Sequence, residues 1–363
     1  MRLVFVISSL CCGGTERVAA VLANQMTALG HDIRILTLDA TGESFTPLAK
    51  GVRVVPLGIA GASTSVARAA LANFGRVSAL RSALAGQRPE AAIGFMDSTN
   101  VLTLLAARAL GLPVVVSEHS SPERNPLGGT WRLLRRATYG WAARIVVQTS
   151  EARAFFPASQ QGRIEVLPNP VSLEQGEDES PMQPQPRPFL MGLGRLAPEK
   201  GFDLLIRAFA RIARRHPEWS LRILGEGPER QTLQTLIEKE GLSQRVSLPG
   251  RTARPFDQLR QASLFVLSSR FEGFANALAE ALACGVPCVA ADCPHGPRHI
   301  LTHGVDGLLV QPEDDEALAQ ALDSLMSDPA QLAQMAQRTR GAAQRFDPEM
   351  VTRRWLQILA TII

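Results

Sequence analysis

Two carboxylates, Glu272 and Glu280, are separated by seven residues in "RFEGFANALAEALACGVPCVAAD". Carboxylates accept hydrogen bonds from hydroxyls, and the amides at a helix start attract anions. A ligand with alcohols on either side of a phosphate satisfies both, and a nucleotide sugar has that layout. Gly273, Ala275 and Ala277 leave room for it, with the amides of Asn276, Ala277 and Leu278 as the anion site. The competing account is that Asn276 merely caps a helix and the glutamates are solvated. In "GLGRLAPEKGFD", Arg195 emerges from a strand-like run and Lys200 precedes a helix start. Two cations so placed can hold a diphosphate through charge-assisted bonds, or can simply face water. Gly13 and Gly14 in "LCCGGTERV" separate an apolar run from a helical one. Glycine there lets backbone N–H groups approach an anion, although a tight turn explains it equally well. Glu16, in the first helical turn, is accounted for by the helix macrodipole.

The elements that position these residues alternate. "RLVFVIS", "DIRILTL", "VRVVPLG", "AAIGFM", "PVVVSE" and "RIVVQTS" read as strands. Helical periodicity runs through "TERVAAVLANQMTALG", an Ala/Arg-rich segment over 64–86, and "NVLTLLAARALG". "SLEQGEDESPMQPQPRP" breaks the pattern and predicts a linker over 172–187. A second α/β series follows, with strands at "FLMGLGRL", "SLRILGEG", "VSLPG", "LFVLSS", "PCVAAD" and "GLLVQP". The expected fold class is α/β, with two Rossmann-like domains over 1–171 and 188–347 facing across a cleft. The amphipathic helix 348–363 is expected to pack back on the first domain. In open α/β sheets ligands bind at the carboxyl ends of strands, so the cleft is the expected site.

Composition narrows the classes. The chain has 363 residues, 45% hydrophobic and 20% charged, and no apolar run reaches the length that spans a bilayer. "MRLVFVISSLCCGG" reads as a first buried strand rather than a secretory signal. Five cysteines at irregular spacing argue against a disulfide framework and for a reducing, cytoplasmic setting. A net charge of +4 suits an anionic substrate or membrane surface, whereas a single Tyr gives no base-stacking pattern for nucleic acid.

"RFEGFANALAEALACGVPCVAAD" resembles the E-x7-E motif of the retaining glycosyltransferases of family 4. "GGTERV", "SEHSSP", "GRLAPEKGFDLLIRAF", "LRILGEGPER", "VSLPGR" and "GVDGLLVQPED" resemble family segments in the same order. The resemblance covers nearly the whole chain and implies a GT-B fold with a nucleotide-sugar donor held mainly by the second domain. It implies that Arg195 and Lys200 contact the diphosphate, Glu280 the ribose hydroxyls and Glu272 the transferred sugar. Gly14 would approach the diphosphate from the first domain. His119 would stand near the reacting carbon, although a capping or core histidine is the competing account. Arg251 would line the base, and Gly225, Phe274, Ala275, Asn276, Ala277 and Leu278 complete the implied donor set. The catalytic set is then His119, Glu272, Arg195 and Lys200. Two positions depart from the family: Ala275 stands where Gly or Pro is frequent, and His299 where Glu is common.

The resemblance implies a retaining transfer of a hexose or N-acetylhexosamine, with a UDP-sugar favoured, to a glycan or polyprenyl-diphosphate-linked acceptor. No Asp-x-Asp motif occurs, so no metal is expected, and no cofactor beyond the donor substrate. His295, His299 and His303 have ligand-like spacing but match an ordinary family loop. "WRLLRRATYGWAARIVV" and the helix with Arg68, Arg76 and Arg81 suggest peripheral contact with an anionic membrane, on the inner face of the cytoplasmic membrane. The alternatives are a nucleotide-sugar epimerase or hydrolase on the same fold, which would consume donor without acceptor, and a non-catalytic glycan- or lipid-binding protein. The latter predicts loss of donor-site residues, yet Arg195, Lys200, Glu272 and Glu280 are all present. A dinucleotide reductase is disfavoured because no complete glycine fingerprint follows a strand.

Overall fold

The computed structural model describes residues 1–11, 13–61, 66–119, 128–173, 187–252 and 254–363, apart from the side chains of 66–71. Most of the expected linker, the end of "SEHSSP", Cys12 and the side chain of Arg68 therefore lie outside the described residues. The chain divides into two compact units, Met1–Pro170 with Phe346–Ile363, and Val171–Arg345.

Unit 1 runs β1 (Arg2–Ile7), α1 (Gly14–Ala28), β2 (Asp32–Thr37), β3 (Arg53–Pro56), α2 (Val66–Gln87), β4 (Ala91–Phe95) and α3 (Asp97–Arg108). It continues with β5 (Val114–Ser117), α4 (Gly129–Thr138), β6 (Arg144–Val147), α5 (Ser150–Ala154) and β7 (Ile164–Val166). The strands form one parallel sheet in the order β3-β2-β1-β4-β5-β6-β7. Residues alternate faces along a strand: Leu3, Phe5 and Ile7 join one apolar cluster, Val4 and Val6 another. Both faces are covered, which explains why these strands read as continuous apolar runs rather than alternating ones. Strand β7 escapes the sequence reading because its three residues, "IEV", are too few to show a period.

Unit 2 runs β8 (Phe189–Leu193), α6 (Phe202–Ile212), β9 (Ser220–Leu224), α7 (Arg230–Lys239), β10 (Val246–Gly250), α8 (Pro255–Gln261) and β11 (Leu264–Leu267). It continues with α9 (Asn276–Ala283), β12 (Cys288–Ala291), α10 (Pro297–Ile300), β13 (Gly307–Val310), α11 (Asp315–Ser327) and α12 (Pro329–Ala343). Its parallel sheet has the order β10-β9-β8-β11-β12-β13. The last helix, α13 (Pro348–Ala360), packs on α1 of unit 1 and buries Val351, Trp355 and Leu359 in that unit's core. At about 1.5–3 kcal/mol for each large apolar side chain, this seam holds a helix that the chain delivers only after completing unit 2.

In each sheet the strand order reverses direction once, between β1 and β4 in unit 1 and between β8 and β11 in unit 2. Loops leaving the carboxyl ends of those neighbours diverge to opposite faces and leave a crevice, the place where open α/β sheets bind ligands. Arg195 and Lys200 follow β8, while Glu272 follows β11.

Candidate functional site

In unit 2, the chain leaves β8 through Gly194 and Arg195, whose side chain is exposed. A short turn over Pro198–Lys200 then leads into α6. Gly194 donates to the Leu224 carbonyl and Leu196 to that of Glu226, each at 3.0 Å, so the loops after β8 and β9 lie against each other. Gly225 sits in that seam with φ +141°, and a Cβ there would collide with the Gly194 carbonyl; only glycine fits. Gly225 N–H also donates to the Gly250 carbonyl at 2.9 Å, bringing the exposed Arg251 beside it.

Lys200 and Glu272 meet directly: Nζ donates to Oε1 at 2.7 Å. The Glu272 side chain is 9% exposed and that of Lys200 24%, so the pair is shielded from much of the solvent screening that weakens surface pairs. The Ser269 hydroxyl donates to the same Oε1 at 2.7 Å. Ser268 Oγ donates to the Lys200 carbonyl at 3.0 Å, tying the two loops along their backbone as well. Gly201 has φ +60° and a Cβ there would strike the Ser268 carbonyl, so this close approach again requires glycine.

Helix α9 differs from its expected start. Asn276 is its first residue and Ala275 its cap, with no side-chain capping bond. The amides of Asn276 and Leu278 donate to the carbonyls of Phe274 and Ala275 at 2.6 and 2.9 Å, so an internal turn takes two of the three amides expected to face an anion. Phe274, Ala275 and Leu278 are buried, whereas Asn276 and Ala277 are half-buried. Glu280 is buried one turn into the helix. His295, His299 and His303 do not converge; among the described residues no group of three His, Cys, Asp or Glu is arranged to hold a metal ion. His299 lies half-buried in α10, and nothing in the structure explains its replacement of the common glutamate.

In unit 1, Gly14 is the exposed first residue of α1, and Gly13 lies against the Glu16 carboxylate, which folds back over the turn. Burial raises the Glu16 carboxyl above its usual range despite a backbone hydrogen bond that opposes the shift. His119, just past β5, is half-buried with its Nδ1 shielded from solvent; its Nε2 pairs with Ser117 Oγ at 2.8 Å and its ring stacks on Phe95 at 5.8 Å. Burial lowers its pKa to about 3, with the charge of Asp97 working the other way.

A cluster of polar residues that the sequence reading missed lies beside it. Asp97 opens α3 directly after Met96, a residue with φ +73°, a conformation that costs a non-glycine residue energy. Glu118 is buried and its carboxyl is raised well above the usual range, first by burial and then by the charge and hydrogen bond of Asp97. The Tyr139 hydroxyl donates to Glu118, and Arg135 Nε lies 3.6 Å from it with its guanidinium over the Tyr139, Phe155 and Phe156 rings. Arg135, one of the arginines expected on a membrane face, thus points into the core. Arg76 also turns inward, binding the carbonyls of Ile59 and Gly61. The available signal was positional: polar residues at the carboxyl ends of the strands next to the switch point.

The His119 shift has a definite sign. As pH falls below the ordinary imidazole value of about 6.5, the unfolded chain binds a proton that the folded chain refuses, so stability declines from there towards pH 3. NMR titration of this ring, assigned with His119→Gln, is expected to be flat between pH 5 and 8. A midpoint near 6.5 would contradict the burial described here.

Comparisons with known proteins agree with this architecture. A family model for a glycosyl transferase 4-like domain matches residues 13–170, and one for glycosyl transferases group 1 matches 176–342. The "GalNAc-alpha-(1->4)-GalNAc-alpha-(1->3)-diNAcBac-PP-undecaprenol alpha-1,4-N-acetyl-D-galactosaminyltransferase" of Campylobacter jejuni is 27% identical over all of this chain and 99% of that protein. An exopolysaccharide phosphotransferase of Streptomyces coelicolor is 39% identical over 47% of this chain, and the match spans only 18% of that protein. Among solved structures, sucrose-phosphate synthase from Thermosynechococcus elongatus superposes with a TM-score of 0.83 over 99% of both chains at 19% identity. HepE of Anabaena in complex with UDP gives 0.76 at 19% identity, over 99% of this chain and 100% of that one. With a matching domain in each unit and the same fold across the chain, this protein belongs to the glycosyltransferases of the GT-B fold.

Proposed function

We propose that this protein transfers a hexose or N-acetylhexosamine from a nucleoside-diphosphate sugar, with UDP as the favoured nucleoside diphosphate, to a glycan or polyprenyl-diphosphate-linked acceptor. The observation that carries the reading is the Lys200–Glu272 contact of 2.7 Å at the switch point of the second sheet. A cation suited to a diphosphate and a carboxylate suited to sugar hydroxyls meet there. The full-length relative from Campylobacter jejuni, named as an N-acetylgalactosaminyltransferase acting on an undecaprenyl-linked glycan, supports the acceptor class.

In this reading Arg195 and Lys200 neutralise the charge that builds on the diphosphate as the bond from the anomeric carbon to phosphate oxygen breaks. Glu272 accepts hydroxyls of the moving sugar and Glu280 those of the ribose. The acceptor oxygen bonds to the anomeric carbon on the face the diphosphate leaves. Its proton passes to the departing phosphate oxygen, so configuration is retained and nucleoside diphosphate is released. The two cations supply positive charge at the phosphate, so the transfer proceeds without a divalent metal. His119, neutral at working pH, offers its ring to the reacting sugar as a hydrogen-bonding group rather than a charge.

A thermal-shift screen against UDP-, GDP- and ADP-sugars tests the donor, since a ligand that binds only the folded state raises the melting temperature. The UDP-sugar is expected to give the largest shift and to persist in EDTA. Arg195→Ala is expected to weaken its binding by about 10- to 100-fold, from the loss of a charged hydrogen bond. Full turnover in that variant would refute the diphosphate role.

The acceptor class also bears on where the protein works. No helix among the described residues is long and apolar enough to cross a membrane. Helices α2, α3 and α4 pack side by side on one face of the first sheet. On that layer Phe74 is 75% exposed and Leu133 68%, with Arg81, Arg132 and Arg136 also facing solvent. Apolar side chains among arginines suit an anionic bilayer surface. Flotation with anionic liposomes is expected to carry the protein upward and with neutral liposomes to leave it behind; equal behaviour would remove the membrane reading.

A further inference from the structure

A second ion pair braces the loops that hold Lys200 and Glu272, and no ligand-binding assignment uses it. Arg270, in the loop after β11, meets the Asp203 carboxylate two on two, Nη1 to Oδ1 at 2.9 Å and Nη2 to Oδ2 at 2.8 Å. The same Nη1 donates to the Pro198 carbonyl at 2.7 Å, and the Arg270 backbone N–H donates to the Glu199 carbonyl at 2.8 Å. One residue thus grips the turn that ends in Lys200 and the first turn of α6 just behind it. Glu272 follows two residues later on the same short loop, so any movement of Arg270 moves it too. Burial would raise the Asp203 carboxyl, but the hydrogen bonds and charge of Arg270 outweigh it and hold it below the usual range. Both side chains are only about a quarter to a third exposed, at 27% and 30%. The planar fork of arginine is what makes three directed contacts available at once; a lysine ammonium on a flexible stem cannot reproduce them.

We propose that Arg270 is a positioning residue for donor binding: paired with Asp203 and Pro198, it fixes the turn that aims Lys200 and keeps Glu272 in register with it. The proposal rests on the reading of Lys200 and Glu272 as the donor site. The clamp sets the geometry in which an incoming diphosphate finds its cation already oriented, so less of the binding free energy goes into ordering the loop. In this arrangement Arg270 acts through Lys200 and Glu272, its guanidinium being taken up by Asp203 and the Pro198 carbonyl.

Isothermal titration with UDP, on the parent, Lys200→Ala, Arg270→Ala and the double variant, separates the proposal from that reading. Lys200→Ala is expected to weaken UDP strongly, and Arg270→Ala to weaken it about tenfold, the loss expected when a pre-set side chain must be ordered on binding. The double variant is expected to bind no more weakly than Lys200→Ala, because the clamp acts through Lys200; a general structural role would give additive losses. Arg270→Lys is expected to recover only part of the affinity. Should Arg270→Ala lose its folded circular dichroism spectrum, Asp203→Asn takes its place under the same criteria. Parent-like UDP affinity in the clamp variant, or additive losses, would overturn the proposal while a weakened Lys200→Ala leaves the donor reading standing. Parent-like affinity in both single variants would overturn both.

Discussion

A single contact organises the candidate donor site, the Lys200 ammonium held at 2.7 Å by the Glu272 carboxylate. A carboxylate as enclosed as Glu272 needs compensation, because a buried charge without a partner costs several kcal/mol. Lys200 and the Ser269 hydroxyl supply it together. The topology makes the meeting possible: β8 and β11 are neighbours at the reversal of strand order, so residues 68 positions apart at Lys200 and Ser268 are joined by a hydrogen bond. The Glu272 carboxylate thus has both an ammonium and a hydroxyl partner within the fold itself, and the two loops are tied along their backbone as well.

The first unit handles burial of charge differently. Around the carboxyl ends of β4 and β5, burial and the neighbouring Asp97 raise the Glu118 carboxyl well above its usual range, against the opposing pull of Arg135 and the Tyr139 hydroxyl. Burial moves His119 the other way, lowering its pKa to about 3. The contrast is between an enclosed carboxylate balanced by a direct ammonium contact in the second unit and a carboxyl in the first whose deprotonation burial opposes.

How much of this was legible in the chain depends on the range of the interaction. The strands announced themselves because both faces of each sheet are covered, which turns "RLVFVI" and "LFVL" into unbroken apolar runs. Arg195, Lys200 and Glu272 were placed at strand ends from those runs alone, and the fold brings Lys200 and Glu272 into contact. The start of α9 was misread because asparagine is a good cap in isolation, whereas here the turn from Phe274 closes on the backbone and Asn276 becomes the first helical residue. Arg76 and Arg135 looked like a basic surface because helical periodicity does not reveal which arginine finds a carbonyl or a buried acid across the fold. The Arg270–Asp203 clamp was invisible for the same reason: its partners are 67 residues apart and only the parallel sheet brings them together.

Everything proposed for the second unit requires a nucleoside diphosphate to bind on the loops after β8 and β11. Hydrogen–deuterium exchange in the presence and absence of saturating UDP tests it most directly, because both loops are backbone segments whose amide protection can be read peptide by peptide. Slowed exchange is expected in the peptides covering 194–202 and 268–282, with β2 and β3 of the first unit unchanged. Slowed exchange confined to other segments, with those two loops unaffected at saturation, would contradict it.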